Sequence, residues 1–244
     1  MRDLTNATFI IPIRIESQDR LRNVLTVLYF LLNNFDTNII VKEVDTKSVF
    51  STDVLPLLEN ADGINLDKLT HIFEESDDSV FYRMHILNEM LSKAKTKVII
   101  NYDCDVLLPV ESYVAAYTSI LSGQCDVVYP YGQGVYQYQV DATDELVNEF
   151  IDSEFDFNTL VDNSNESTSD FGWVQFFNRD VYIEGGLENE NFVAYAPEDV
   201  ERFYRFNTLG YTVGRMNTHV YHLEHERSPN SWFSNPHMVQ NNEE

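Results

Sequence analysis

Between Thr8 and Val44 the chain reads TFIIPIRIESQDRLRNVLTVLYFLLNNFDTNIIVKEV, and three elements follow one another in it. Thr8 to Ile13 is a short, β-branched apolar run that gives way to the polar Arg14-Ile15-Glu16-Ser17, the pattern of a strand buried on both faces. From Arg20 onward, Leu21, Val24, Leu25, Leu28, Leu31 and Leu32 recur at the spacing of one helical face, and Asn33-Asn34 close the helix. Asn38 to Val44 is a second strand. Strand, helix, strand in this order predicts a parallel pair joined by a right-handed crossover.

The same alternation continues downstream. An amphipathic segment from Phe81, with Met84, Leu87 and Leu91 on one face, runs into the strand-like Lys97 to Tyr102. Val110 to Leu121 reads as a helix behind Pro109, and Asp126 to Tyr131 as a further strand. The middle third, Tyr131 to Ser169, lacks clean periodicity and is expected to be long loops with one irregular helix near Thr143 to Phe155. Phe171 to Phe177 and Thr212 to Met216 read as strands flanking a helix from Pro197 to Leu209. The expected architecture is an α/β fold: a mostly parallel, Rossmann-like central sheet with helices on both faces. We take residues 1–235 as one domain and 236–244, rich in Asn and Glu, as a loosely held tail.

Composition narrows the function. The 244 residues carry 40 acidic against 16 basic side chains, a net charge of −24. Such a surface lacks the basic footprint that nucleic-acid binding requires. Two cysteines, Cys104 and Cys125, make neither a disulfide framework nor a zinc site, and no run is long and apolar enough for a membrane span.

Three constellations carry chemistry. Asn101-Tyr102-Asp103-Cys104-Asp105 ends an apolar strand. In open α/β sheets that end opens on the ligand crevice, so carboxylates placed there can meet a metal held by a diphosphate. An isolated Asp-x-Asp is common in an acidic chain. His222-Leu223-Glu224-His225 adds two imidazoles three residues apart, and with a carboxylate these suit Mn²⁺, Zn²⁺ or Fe²⁺ better than Ca²⁺. The bland alternative is a pair of surface histidines. Third, Gly185-Gly186-Leu187-Glu188 is followed by Ala196-Pro197-Glu198-Asp199, a well-formed helix start whose carboxylate can also act as general base beside a cleft.

Phe81-Tyr82-Arg83-Met84-His85-Ile86-Leu87-Asn88, Asn101 to Pro109, Phe171-Gly172-Trp173, Gly185-Gly186, Glu198-Asp199 and His222-x-x-His225 occur in this order. Together they resemble the C-terminal domain of beta-galactosyltransferases and of chondroitin-polymerase-type transferases, from Ile11-Pro12-Ile13-Arg14 to about Arg227. The resemblance implies a GT-A fold, a nucleotide-sugar donor (UDP-linked), a carbohydrate acceptor and an inverting single displacement. It places Pro12 and Arg14 at the nucleotide pocket and Glu43, or alternatively Asp45, near base and ribose. Arg83 and Gly186 fall on donor-contacting positions, and Asp103 lies by ribose and sugar. Asp105, His222 and His225 become ligands of Mn²⁺ or Mg²⁺, with Asp199 the catalytic base and Glu198 positioning hydroxyls.

One departure is Tyr195-Ala196-Pro197, where those galactosyltransferases often carry Trp and glycines; Tyr195 can still offer an aromatic face to a sugar. Absent lumenal disulfides fit a cytoplasmic bacterial or viral transferase. The competing readings are a metal-dependent nucleotide-sugar hydrolase and a non-catalytic glycan- or nucleotide-binding module on the same fold.

Overall fold

The structure, a computed structural model, describes residues 1–194, 196–231, 237 and 241. β1 (Arg2–Ile13) leads into α1 (Gln18–Asn34), whose N-cap Ser17 accepts a hydrogen bond from the Arg20 amide at 3.2 Å. The helix buries Val24, Val27, Leu28 and Leu31, as its periodicity requires, and passes directly into β2 (Phe35–Asp45). A π-turn (Phe50–Val54), α2 (Leu55–Glu59) and β3 (Leu69–Glu75) follow. Then come α3 (Arg83–Lys93), β4 (Val98–Tyr102), β5 (Val106–Leu107) and α4 (Val110–Leu121).

Next are β6 (Val127–Tyr129), β7 (Gly134–Val140), α5 (Asp144–Asp152), α6 (Phe157–Val161) and β8 (Ser164–Ser169). The chain continues through β9 (Val174–Asn178), α7 (Arg179–Glu184), α8 (Glu198–Thr208), β10 (Val213–Arg215) and β11 (Val220–Leu223). No helix among the described residues is long and apolar enough to cross a membrane.

The central sheet has seven strands in the order β10-β6-β9-β4-β1-β2-β3. All neighbours are parallel except β9, which runs antiparallel between β4 and β6. Helices flank the sheet, and β1 and β4 are its apolar centre, with Phe9, Ile11, Ile99 and Ile100 essentially inaccessible to solvent. Because β1, β2, β3 and β4 are parallel, their carboxyl ends open along one edge, where Arg14, Asp45, Ser76 and Asp103 emerge.

The middle third is more regular than its sequence suggests. A second sheet, β5-β11-β7-β8, incorporates β7 and β8 on either side of α5 and α6. β8, Ser-Asn-Glu-Ser-Thr-Ser, contains no apolar residue; it is held by its antiparallel ladder to β7 rather than by burial, so hydrophobic patterning cannot reveal it. β3 escapes for a related reason, being an edge strand largely open to solvent. Of the expected tail, only His237 and Asn241 are described; Asn241 is buried and bonds the backbone of Val193 in both directions, at 3.0 and 2.7 Å. The rest of 236–244, and Tyr195, lie outside the described residues.

Candidate active site

β4 delivers Asp103 and Asp105 at the sheet edge. The Asp103 amide donates to the Trp173 carbonyl at 3.0 Å, and the Asp105 carbonyl accepts from the Leu223 amide at 2.8 Å. The second bond ties the motif to β11, on which His222 sits opposite Val106 of β5. His222, His225 and Asp105 are all buried, and their ligating atoms converge within 4.8 Å. Asp105 Oδ2 lies 3.1 Å from His225 Nε2 and 3.8 Å from His222 Nε2.

Both imidazoles are oriented from behind. His225 Nδ1 donates to the Glu226 carbonyl at 2.7 Å, and His222 Nδ1 faces Glu224 Oε1 at 2.8 Å, so the two Nε2 atoms are turned inward. A carboxylate or carbonyl on the outer nitrogen is the usual arrangement of metal-bound histidine. Asp105 Oδ1 is buried without a hydrogen-bond partner, which is costly unless another group completes the site. Burial opposes the Asp105 charge, but the hydrogen bond to His225 and both imidazoles hold its pKa below the usual carboxylate range. An acidic oxygen and two imidazole nitrogens fit a borderline divalent cation such as Mn²⁺.

Across from this cluster stands the start of α8. Arg83 reaches from the first residue of α3 to Asp103 (2.5 Å) and lies 3.5 Å from Glu198. Burial, reinforced by the charge of Asp199 and opposed by Arg83 and Arg202, pushes Glu198 up to about 8. Burial also raises Asp103, with Arg83 pulling against it and Asp105 and Asp199 adding to it. Asp199 is pinned through Oδ1 by Arg202 at 2.5 Å, while Oδ2 faces Gly172, where an added Cβ would stand 3.2 Å away.

Arg202 is itself fully buried against Glu188, with contacts of 2.8, 3.1 and 2.5 Å, and Gln175. Between base and cluster runs Phe171-Gly172-Trp173. Trp173 adopts φ +71°, unusual for a bulky residue, and lays its indole 4.7 Å from the His222 ring.

The remaining expected positions divide. Arg14 and Asp45 line a cavity of about 600 Å³ at the ends of β1 to β3, together with Thr46, Asp78 and Asn230. Arg14 is held by the carbonyls of Val44 (2.9 Å) and Ser79 (3.1 Å) and lies over the Phe81 ring. Phe81 continues into Arg83, which links this cavity to the carboxylates. Glu43 stays apart from the cavity. It is 0% exposed, and its oxygens accept from Ser48 Oγ and the amides of Val49 and Phe50 and meet His71, so it anchors the turn after β2.

Pro12 is buried within the sheet beside Lys42 rather than at the cavity. Gly186, at φ +99°, turns the chain after α7 against Arg205, whose Nη2 donates to the Leu187 carbonyl at 2.8 Å. Sequence reasoning passed over Arg202, and it quoted Glu188 and Gly172 within motifs without giving either a role. A basic residue one turn after Asp199 was the visible signal for the first; the others depend on tertiary contact.

No family profile matches the sequence, and no curated protein does. Solved structures do match. A mannosyltransferase, PcManGT from Pyrobaculum calidifontis in complex with GDP-Man and Mn²⁺, superposes with a TM-score of 0.58 at 13% identity over 91% of this chain and 58% of that one. S. aureus TarS in complex with UDP-GlcNAc gives 0.58 at 12% identity, over 93% of this chain and 60% of that one. The chain has the GT-A fold. It spans about 60% of the length of these solved chains, and identities this low carry the fold alone.

Proposed function

We propose that this GT-A chain is an inverting, metal-dependent glycosyltransferase that moves a sugar from a UDP-linked donor to a saccharide hydroxyl. The observation that carries the reading is the placement of Asp105, His222 and His225 facing the Glu198-Asp199 pair across Phe171-Gly172-Trp173. Similar folds hold GDP-Man with Mn²⁺ and UDP-GlcNAc, which supports a nucleotide-sugar donor here. A divalent cation at this cluster would neutralise the charge that develops on the departing diphosphate.

The protein's own groups supply the rest. Arg14 and Asp45 offer a cation and an acceptor to nucleotide and ribose in the cavity at the strand ends. Arg83, braced by Asp103 and 3.5 Å from Glu198, would contribute a cation to the donor beside the acid pair. Asp199 Oδ2 takes the proton of the acceptor hydroxyl as its oxygen bonds the anomeric carbon and the carbon–oxygen bond to the diphosphate breaks, which inverts that carbon. Arg202 fixes the carboxylate's direction. Glu198, protonated at neutral pH because of its raised pKa, donates a hydrogen bond to a substrate oxygen and leaves proton acceptance to its neighbour.

Asp199→Asn tests the assignment. It keeps the shape and removes the base, so UDP-sugar affinity with Mn²⁺, measured by calorimetry, should stay close to wild type while transfer falls by about 10² to 10⁴-fold. Loss of donor binding together with turnover would remove Asp199 from the base role. A wild-type protein that no UDP-sugar stabilises in the presence of Mn²⁺ would refute the reading as a whole.

A further inference from the structure

α8 carries more than the acid pair. One turn below Asp199 on the same face lies Phe203, and beside it the exposed residues Val200 and Tyr204, the latter 60% accessible. The loop before β9 runs alongside, with Gly172 opposite Asp199 and the Phe171 ring 4.3 Å from that of Phe203. Tyr204 lies edge-on to Phe203 (5.5 Å) and 6.2 Å from Phe171, so three rings form a half-open apolar surface next to the base. From behind, Arg215 fixes two of them. Its guanidinium lies 5.4 Å from the Phe171 ring and 5.8 Å from Phe203, and rests on Tyr129 at 4.4 Å. Rings already held in place lose little freedom on binding.

Core packing does not require Tyr204 to be where it is, since most of its surface faces water. We infer that Phe171, Phe203 and Tyr204 form an acceptor subsite on which the second ring of a neutral oligosaccharide stacks while the first presents its hydroxyl to Asp199. The spacing supports this: Phe203 follows Asp199 by one helical turn, about 5.4 Å, the scale of one pyranose ring. The apolar face of a sugar suits an aromatic plane, whose polar substituents then remain in water. Charge selects against anionic acceptors, because the chain carries a net charge of −24, Asp170 immediately precedes Phe171, and Asp199 faces the neighbouring Gly172. The inference rests on the glycosyltransferase reading and adds to it the class of acceptor.

The experiment uses the full chain with saturating UDP and Mn²⁺. It titrates cellotriose, chitotriose, mannotriose and laminaritriose, with a hyaluronan tetrasaccharide as the anionic counterpart, by calorimetry and saturation-transfer NMR. At least one neutral trisaccharide should bind. Tyr204→Ala should weaken it by about ten-fold while Tyr204→Phe retains it, because stacking needs the ring and not the hydroxyl. The corresponding monosaccharide should not distinguish the variants, and UDP–Mn²⁺ affinity should be the same in all three proteins. Absence of binding by every neutral trisaccharide, indifference to Tyr204→Ala, or preference for the hyaluronan fragment would each overturn the subsite. If UDP with Mn²⁺ itself fails to bind, the underlying enzyme reading falls instead.

Discussion

Glu198→Gln should stabilise the protein, and increasingly so as pH rises. Glu198 is buried beside Asp199, one of its oxygens lacks a hydrogen-bond partner, and its pKa is raised from 4.5 to about 8. Between these two values the folded protein keeps a proton that the unfolded chain releases, so the wild type loses stability on going from acid to alkaline pH through that window. At about 1.4 kcal/mol per pH unit the interval sets a ceiling of about 5 kcal/mol, most of which falls between pH 5 and pH 8. Relaxation of the surroundings and entry of water around the ionised carboxylate recover part of this, leaving an expected gap of about 2 to 3 kcal/mol. Glutamine does not titrate and is spared the loss. Thermal unfolding of both proteins should give similar Tm values at pH 5 and a variant ahead by about 5 to 10 °C at pH 8. An offset that is the same at both pH values, or a wild-type advantage that grows with pH, would refute the assigned environment of Glu198.

Two further outcomes follow from the site. Asp105→Ala should abolish Mn²⁺-dependent UDP binding in calorimetry, and His222→Ala and His225→Ala should each weaken it by about ten-fold or more; unchanged affinity in all three would dissolve the metal centre. Gly172→Ala places a methyl 3.2 Å from Asp199 Oδ2 without disturbing a positive φ, so it should lower kcat by about ten-fold or more with Tm and donor affinity near wild type; an unaffected kcat would show that this oxygen takes no part in transfer.

The central sheet was legible because its strands bury both faces. Thr8 to Ile13 and Asn38 to Val44 are rich in β-branched residues, and the helix from Val110 to Leu121 has the bounds its periodicity predicts. What stayed hidden is whatever tertiary pairing decides. β8 has no apolar residue, and β11 is only four residues long and holds a buried histidine. At the site, order along the chain indicated Asp105, His222 and His225, which the structure brings together. It could not separate Glu43 from Asp45: both are acidic and two residues apart on β2, yet one is sealed under the following turn and the other opens on the cavity. Nor could it show that Asp199 has one oxygen already committed to Arg202, since Arg202 owes its position to Glu188 across a separate turn of chain.

The dependence of the imidazole pair on β11 has a consequence for biosynthesis. Asp105 leaves the ribosome well before β11, and the Leu223 amide that grips its carbonyl arrives later than every strand of the central sheet. A nascent chain that has emerged only through α8 therefore holds its carboxylate pair but lacks both cation-binding nitrogens. Capture of the ion would then report synthesis past β11, because a chain stalled or truncated before that strand could fold much of its sheet and still be unable to engage a charged diphosphate.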